Sequence, residues 1–328
     1  MTNKHRIGKL SNAELEELVL SKFHPKRPEV VLPPGVGLDC GLVDMQGDLC
    51  ALSSDPITGA TEKMGALAVH VCCNDAAASG AEPVGILTTL LLPPDTDNAT
   101  VASIAADVSR AADLAHVDVL GGHTEFTDAV TRPVISATVL ARAPRDRMVN
   151  SAQMKSGDTI LLSKWAALEG SFIIAADHPA KLDGALAPEE WRELSSWAEQ
   201  LSVVEDAMIA VNCGARALHD ATEGGVLGAV WEMAMASHTG VEIDSAKIPV
   251  REETKKICAA LGLDPLRMMT SGALLIAVAD PAPMEKAFAE SGIPLAVIGK
   301  ATAMEKGLRC DGQALEAPGE DELYRIWQ

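Results

Sequence analysis

The chain has 328 residues, with 27 lysines and arginines against 46 aspartates and glutamates, which leaves a formal net charge of −19 at pH 7. This length allows two domains of ordinary size, and a hydrophobic content of 48% is enough for a full core. Because nucleic acids and anionic membranes attract basic surfaces, the charge argues against both as partners.

The first half of the sequence predicts alternating helices and strands. Ser11 and Glu14 have capping-box spacing, which predicts a helix over about residues 11–23. A second helix is predicted over 62–80, where Gly80 is a suitable C-terminal stop. A third helix is predicted from an Asn98 cap to about residue 115. Alternating apolar residues predict strands at 42–43, 49–53, 84–92, 117–120 and 134–141.

A polar stretch over 144–157 predicts a boundary between an N-terminal domain, residues 1–150, and a C-terminal domain, residues 151–328. The second half predicts strands at 159–163, 215–218, 273–279 and 295–299. It predicts helices at 169–178, 188–212, 226–237, 251–261 and 283–291. This mixture favours an α+β fold over a Rossmann sheet.

The cysteines and the N-terminus bear on localisation. The seven cysteines are odd in number and contain no C-x-x-C pair, which is typical of reduced thiols. The N-terminus lacks the apolar stretch of a signal peptide, and no apolar run is long enough for a membrane span. We therefore expect a cytoplasmic protein.

The common nucleotide-binding motifs are absent: the sequence has neither a P-loop nor a G-x-G-x-x-G fingerprint. Acidic residues instead occur beside glycine-rich or polar turns. The segments are Gly37-Leu38-Asp39, Ser54-Asp55-Pro56, Asn74-Asp75, Gly121-Gly122-His123-Thr124-Glu125 and His219-Asp220-Ala221-Thr222-Glu223-Gly224-Gly225. Carboxylates are good Mg²⁺ ligands and glycine amides can cradle phosphate, so the pattern is compatible with Mg²⁺-nucleotide binding. The alternative is that Asp and Gly are simply common turn residues.

The order and spacing of these segments, with Gly8-Lys9-Leu10-Ser11 and Ser271-Gly272-Ala273-Leu274-Leu275, resemble the aminoimidazole-ribonucleotide-synthetase-like (AIR synthase-related) superfamily. Within that superfamily, the sequence looks most similar to the branch of the hydrogenase maturation factor that dehydrates a carbamoyl thiol. The resemblance implies an N-terminal α/β domain whose strands form a shared barrel in a homodimer, and a C-terminal α+β domain. It also implies that ATP, held through Mg²⁺, lies near the dimer interface.

Matched residue by residue, the resemblance implies site residues. Asp39, Asp55, Asp75 and Asp220 are implied as metal and phosphate acids, with Asp75 also catalytic, close to the reacting phosphate. The implied nucleotide contacts are Gly37, Asn74, Gly121, Gly122, His123, Thr124, Glu125, Thr222, Gly224 and Gly225, with Gly121, Gly122 and Thr124 in a phosphate loop. His123 could contact ligand or bond to backbone, and Lys9 could reach a phosphate or stay exposed.

The sequence departs from this branch at two places. The branch carries the carbamoyl group on a C-terminal cysteine, whereas the last cysteine here is Cys310. Ser271 stands where the branch commonly has glutamate. Cys40, beside Asp39, could supply a thiol, or it could be a small residue that fills a turn.

Three functions stay open at this point. The first is an ATP-dependent enzyme in which an oxygen of an unassigned small substrate attacks the γ-phosphate. The second is a phosphotransferase similar to thiamine-monophosphate kinase. The third is a nucleotide-binding scaffold without turnover.

Overall fold

A computed structural model describes residues 10–23, 26–145 and 147–327. Lys9, for which a phosphate contact or an exposed position was considered, lies outside these residues. The described helices are α1 (Asn12–Leu18), α2 (Met64–Ala78), α3 (Asn98–Ala115), α4 (Leu168–Asp177), α5 (Pro188–Leu194), α6 (Val204–Asn212), α7 (Gly225–Ser237), α8 (Glu252–Leu261) and α9 (Ala282–Ser291). The strands of the first half are β1 (Val30–Leu32), β2 (Gly41–Asp44), β3 (Leu49–Ile57), β4 (Glu82–Leu92), β5 (Asp118–Phe126) and β6 (Val134–Ala143). Those of the second half are β7 (Thr159–Ser163), β8 (Ala217–Ala221), β9 (Gly240–Ile243), β10 (Ala273–Val278), β11 (Leu295–Thr302), β12 (Leu308–Cys310) and β13 (Gln313–Ala314).

The strands form two sheets. The first has the order β1-β2-β3-β6-β4-β5, and the second has the order β13-β12-β9-β11-β7-β10-β8. Neighbouring strands are antiparallel except for β4 with β5 and β9 with β12. The predicted α+β class is therefore confirmed, whereas the division at residue 150 stays a prediction. In the described part of the chain, we find no helix with the length and apolarity needed to cross a bilayer.

Helix α2 connects the two halves. It is buried along almost its whole length, and its small side chains let other elements approach closely. At Gly65 an added Cβ would lie 2.5 Å from the Ile104 carbonyl oxygen of α3. The helix contacts β3 and β6 of the first sheet and β8 of the second. The predicted stop at Gly80 is confirmed, with φ of 71° just after the helix.

The helix predicted over 188–212 is wrong as a single element. Helix α5 ends at Leu194, a short 3₁₀ segment covers Trp197–Gln200, and α6 begins at Val204. The interruption coincides with a tertiary contact, because the Asn74 amide donates to the Leu201 carbonyl and accepts from the Val203 N–H, both at 2.8 Å. Helical periodicity could not reveal this contact.

Two predicted caps had different outcomes. The capping box is confirmed, since Ser11 accepts from the Glu14 N–H and Glu14 accepts from the Ser11 N–H. The helix that follows ends at Leu18, well short of residue 23. The Asn98 cap is wrong by one residue, because Asp97 accepts from the Thr100 N–H at 2.7 Å.

The loop predicted after a short strand at 117–120 is wrong. Strand β5 continues through the glycines to Phe126, at the edge of the first sheet, and all nine of its residues are exposed. Gly122 has φ of 149°, and an added Cβ would lie 1.8 Å from the Thr88 carbonyl oxygen of β4. Glycine at this position therefore allows the pairing of β5 with β4.

Candidate functional site

The four aspartates predicted as metal ligands meet in a cleft between the two sheets. Asp39 precedes β2, Asp55 lies near the end of β3, Asp75 lies in the last turn of α2, and Asp220 belongs to β8. All four line one cavity of about 360 Å³, here called cavity A. The candidate metal-ligating side chains of the cleft therefore come from both halves of the chain.

A neighbouring cavity of about 340 Å³, here called cavity B, lies against the same aspartates. Asp55, Asp75 and Thr222 line both cavities and form the wall that they share. Glu169 and Tyr324 line cavity B only. Two spaces of ligand size therefore meet at the same two carboxylates.

Asp75 is a buried acid close to other acids of the cleft. Burial raises its pKa well above the ordinary value, and the nearby charges of Asp220 and Asp55 raise it further. Ser53 Oγ donates a hydrogen bond to Asp75 Oδ2 at 2.5 Å. A divalent cation would relieve the repulsion between these carboxylates.

Two of the four carboxylates, with one imidazole, are close enough to share a cation. Atoms of Asp39, His219 and Asp220 lie within 4.8 Å of one another. Opposite ligands of Mg²⁺ are about 4.2 Å apart, and Mg²⁺ prefers oxygen, so the carboxylates suit this ion better than the imidazole does.

His219 is the basic partner of the cluster. Its Nδ1 lies 2.8 Å from Asp39 Oδ1, and its Nε2 lies 3.2 Å from Glu232 Oε2. Burial by itself would lower the pKa of His219, but Asp39 and Glu232 raise it well above the ordinary value. The two carboxylates therefore favour the protonated ring, whose charge offsets part of the acidic charge and which orients Asp39.

Some of the predicted nucleotide contacts lie at the cleft. Gly37 lines cavity A, and Thr222 lines both cavities. Gly224 and Gly225 lie at the start of α7, with φ of 89° and 68°. The Gly224 N–H donates to Asp321 Oδ2 at 2.6 Å. This N–H group is therefore already hydrogen-bonded to a carboxylate of the chain.

Other predicted contacts lie elsewhere. Asn74 is buried and bridges the two halves, and it lines neither cavity A nor cavity B. Gly121, Gly122, His123, Thr124 and Glu125 lie on the exposed edge strand, outside both linings. His123 pairs there with Glu125, with 3.1 Å between Nε2 and Oε2. A nucleotide role for these residues stays a prediction.

Sequence reasoning missed most of cavity B. Its lining includes Glu169, Glu223, Ser271 and Tyr324, none of which was predicted as a site residue. One signal was available for Tyr324, since it is the only tyrosine of the chain. The other three come from α4 and from loops, and only the tertiary structure brings them together.

Cys40 is buried, and this burial raises the pKa of its thiol. The nearby charge of Asp75 raises the pKa further. An uncharged thiol is a poor nucleophile. The geometry therefore favours the interpretation of Cys40 as a small residue that fills a turn.

Family models match most of the chain. Residues 37–143 match the N-terminal domain of AIR synthase related proteins, and residues 155–310 match the C-terminal domain. The carbamoyl dehydratase HypE of Escherichia coli is 30% identical over 309 residues, which cover 88% of each chain. A hydrogenase expression/formation protein of Methanocaldococcus jannaschii is 29% identical over 219 residues, which cover 66% of this chain but only 62% of that protein.

Solved structures share the fold. The structure of AaThiL complexed with AMPPCP and TMP superimposes with a TM-score of 0.78 and 20% identity, covering 98% of this chain and 99% of that one. A crystal structure of E. coli HypE has a TM-score of 0.72 and 24% identity, with 92% and 96% covered. These similarities confirm the predicted two-domain AIR-synthase-like architecture.

Proposed function

This chain belongs to the AIR synthase related family, and on that premise we propose that it is an enzyme that uses Mg²⁺ and ATP to phosphorylate, and so activate, an oxygen of a small substrate. The observation that carries the proposal is the wall shared by cavities A and B. A nucleotide in one cavity and an acceptor in the other would meet at Asp55 and Asp75.

Cavity A is the better site for the nucleotide because it holds all four aspartates. Mg²⁺ bound there by Asp39, Asp55, Asp75 and Asp220 would neutralise the triphosphate, which the acidic chain would otherwise repel. Nucleotide binding should therefore require a divalent cation.

The residues of the chain supply positioning. Asp75, held by Ser53, lies where its carboxylate can orient the attacking oxygen toward the γ-phosphate. His219, held between Asp39 and Glu232, keeps the Asp39 carboxylate in one orientation. Catalysis of phosphoryl transfer depends chiefly on such positioning and on charge neutralisation.

We also propose a homodimer formed through β5. An exposed edge strand offers unpaired backbone groups to another chain, and β5 exposes the large apolar side chains of Val119, Leu120 and Phe126. Pairing with a second copy would cover this surface. It would also allow Gly121–Glu125 to contact a nucleotide bound by the partner subunit.

The names of the relatives support the reaction class. One relative is named a carbamoyl dehydratase, and a structure of similar fold was solved with AMPPCP and TMP. We place this chain with enzymes that transfer the γ-phosphoryl group to a substrate oxygen. Product analysis separates two subclasses: a phosphorylated acceptor identifies a phosphotransferase, and inorganic phosphate with a dehydrated product identifies a dehydratase.

The first test is calorimetric titration of the full chain with ATP and ADP, with Mg²⁺ or with EDTA. We expect binding with Mg²⁺ and none with EDTA. Equal binding in both conditions would contradict the assignment of the aspartates to the metal. Absence of binding in both would exclude the proposed function.

A further inference from the structure

Helix α4 takes part in two separate cavities. Its residues Glu169 and Ile173 line cavity B. Another cavity of about 270 Å³, here called cavity C, is lined by Phe172, Ala175 and Ala176. The rest of its described lining, which has no residue in common with cavities A and B, consists of Glu62, Lys63, Trp191, Leu194 and Ser195. Cavity C therefore offers a largely apolar surface, and a liquid-like filling would hold about nine non-hydrogen atoms.

A much smaller cavity of about 30 Å³, here called cavity D, adjoins cavity C. Lys63 and Ser195 line both cavities, so the two spaces meet at these residues. Cavity D lies between helices α2 and α3, and it has room for one water molecule or one hydroxyl group. Cavities C and D therefore combine a wide apolar part with a narrow part that can hold a single polar group.

His70 of α2 lies in the wall of cavity D, and neither of its ring nitrogens has a hydrogen-bond partner among the described residues. The residue is only 1% exposed. Burial, with the charge of Lys164, lowers its pKa to about 4, so at pH 7 the neutral ring offers one N–H donor and one nitrogen acceptor. Buried polar groups are hydrogen-bonded as a rule. The ring therefore calls for a polar partner within cavity D.

The charges around the two cavities favour an uncharged ligand. Both lysine and arginine side chains of the linings are already paired, because Lys63 Nζ lies 3.0 Å from Asp107 Oδ1 and Arg110 pairs with the same carboxylate. The two other acids of the linings, Glu62 and Glu199, are exposed, where solvent screens their charges. An ionised head group in cavity D would lose its hydration beside a neutral imidazole, which is costly.

We propose that cavities C and D form a binding site for a small uncharged alcohol, with an apolar body and one terminal hydroxyl group. The body fills cavity C against Phe172 and Trp191. The hydroxyl group lies in cavity D, where it exchanges hydrogen bonds with His70. The site is separate from the aspartate cleft, and its occupancy does not depend on the proposed function.

The test uses four probes that share a phenyl ring and a three-carbon chain: 3-phenyl-1-propanol, 3-phenylpropanoate, 3-phenylpropylamine and propylbenzene. Each is titrated at pH 7 into the full chain labelled with 5-fluorotryptophan, and the ¹⁹F resonance of Trp191, assigned with Trp191→Phe, reports binding in cavity C. We expect the affinity for the alcohol to exceed those for the anion and the amine at least fivefold. Equal affinities, or no response of Trp191 to any probe, would overturn the inference.

Variants connect the binding to the two cavities. Ala176→Leu fills part of cavity C and should weaken binding of the alcohol at least tenfold. Ala289→Leu makes the same substitution on the exposed surface of α9 and should leave the affinity unchanged. His70→Leu removes both ring nitrogens and should weaken the alcohol about fivefold while leaving propylbenzene unchanged. Undiminished alcohol binding in Ala176→Leu, or equal changes for both probes in His70→Leu, would overturn the inference.

A second series with saturating Mg²⁺ and ATP separates this site from the aspartate cleft. Because the described linings of cavities C and D have no residue in common with that of cavity A, the affinity for the alcohol should change less than twofold. Displacement of the alcohol by ATP would overturn the inference. Absence of ATP binding in these samples would count against the proposed function alone.

Discussion

The cleft and strand β5 are alike in sequence but differ in structure. Both place an acidic residue beside glycine, at Gly37–Asp39 and at Gly121–Glu125. The first segment lines cavity A with three further aspartates, whereas the second is an exposed strand at a sheet edge. The same local pattern therefore serves a ligand cavity in one region and strand pairing in the other.

The glycines show the physical reason for this difference. At Gly37 the nearest atom to an added Cβ would be 3.4 Å away, which is an ordinary contact. Glycine is favoured there mainly because φ is 73°. At Gly122 the same Cβ would clash with the neighbouring strand. Glycine in a sequence motif can thus reflect packing as well as ligand approach.

The largest effect is expected from Asp75→Asn in the cleft. It removes a carboxylate from the proposed metal cluster, and we expect turnover to fall about 10³-fold, equivalent to about 4 kcal/mol of activation free energy. Steady-state assays of ADP release measure this. Asp95→Asn, on an exposed loop, is the control and should retain full activity.

The same variant has an opposite effect on stability without metal. Because the pKa of Asp75 is raised in the folded state, wild-type stability in EDTA should decline as the pH rises above the ordinary value of 3.8. Asp75→Asn cannot become charged at this position and should therefore resist urea better than wild type at alkaline pH. Lower stability of the variant there would contradict the repulsion inferred among the aspartates.

Substitutions of the two β5 glycines test the packing explanation for that strand. Gly122→Ala should lower the free energy of unfolding by about 3 kcal/mol, because the methyl group meets the Thr88 carbonyl and φ is 149°. Gly121→Ala shares the strained φ, but its nearest contact is 3.9 Å away, so we expect a loss of about 1–2 kcal/mol. Urea denaturation compares them, and equal losses would refute the steric explanation.

Charges on the edge strand test the proposed dimer. Val119→Lys and Phe126→Lys should each raise the dimer dissociation constant at least tenfold, since a lysine at a sheet edge opposes pairing with another chain. Sedimentation equilibrium measures this. Met304→Lys changes an exposed apolar residue in the second half of the chain, outside the sheet that contains β5, and should leave the dimer intact. A wild-type monomer, or dimers unaffected by the β5 lysines, would exclude this interface.

The smallest effect is expected at His70, which shares α2 with Asp75 but lies outside cavities A and B. Neither of its ring nitrogens has a hydrogen-bond partner among the described residues, so His70→Leu should stabilise the protein by about 1 kcal/mol at pH 7. Urea denaturation measures the gain. A loss of more than about 1 kcal/mol would show that the imidazole contributes packing that leucine cannot replace.

The pH dependence of the His70 contribution gives a second measurement. Burial, with the charge of Lys164, lowers the pKa of His70 from 6.5 to about 4. The neutral ring therefore favours the folded state above pH 6.5, and this contribution is lost as the pH falls from 6.5 to 4. His70→Leu should show a flatter decline of stability across that window.

The part of the site that the sequence predicted consists of residues within short motifs. Asp39, Asp55, Asp75 and Asp220 lie beside turn signals and could be matched one by one. Glu169 and Ser271 could not be found this way, because only the folded chain brings α4 and the loop before β10 to one cavity with the end of β3. Asn74 shows the reverse case: it neighbours Asp75 in the chain, but its side chain bonds the backbone at Leu201 and Val203.

The sequence by itself determined the α+β class, most element positions and the four aspartates, because periodicity, caps and motif spacing are local properties. Only the tertiary structure decided that β5 runs through its glycines, that the helix over 188–212 is interrupted, and that cavity B lies beside the aspartates. Strand pairing, side-chain contacts across the cleft and burial depend on residues far apart in the chain. The acidic residues show the same contrast. The composition gives the net charge of −19, whereas the fold brings four aspartates into one cavity where they could bind a cation.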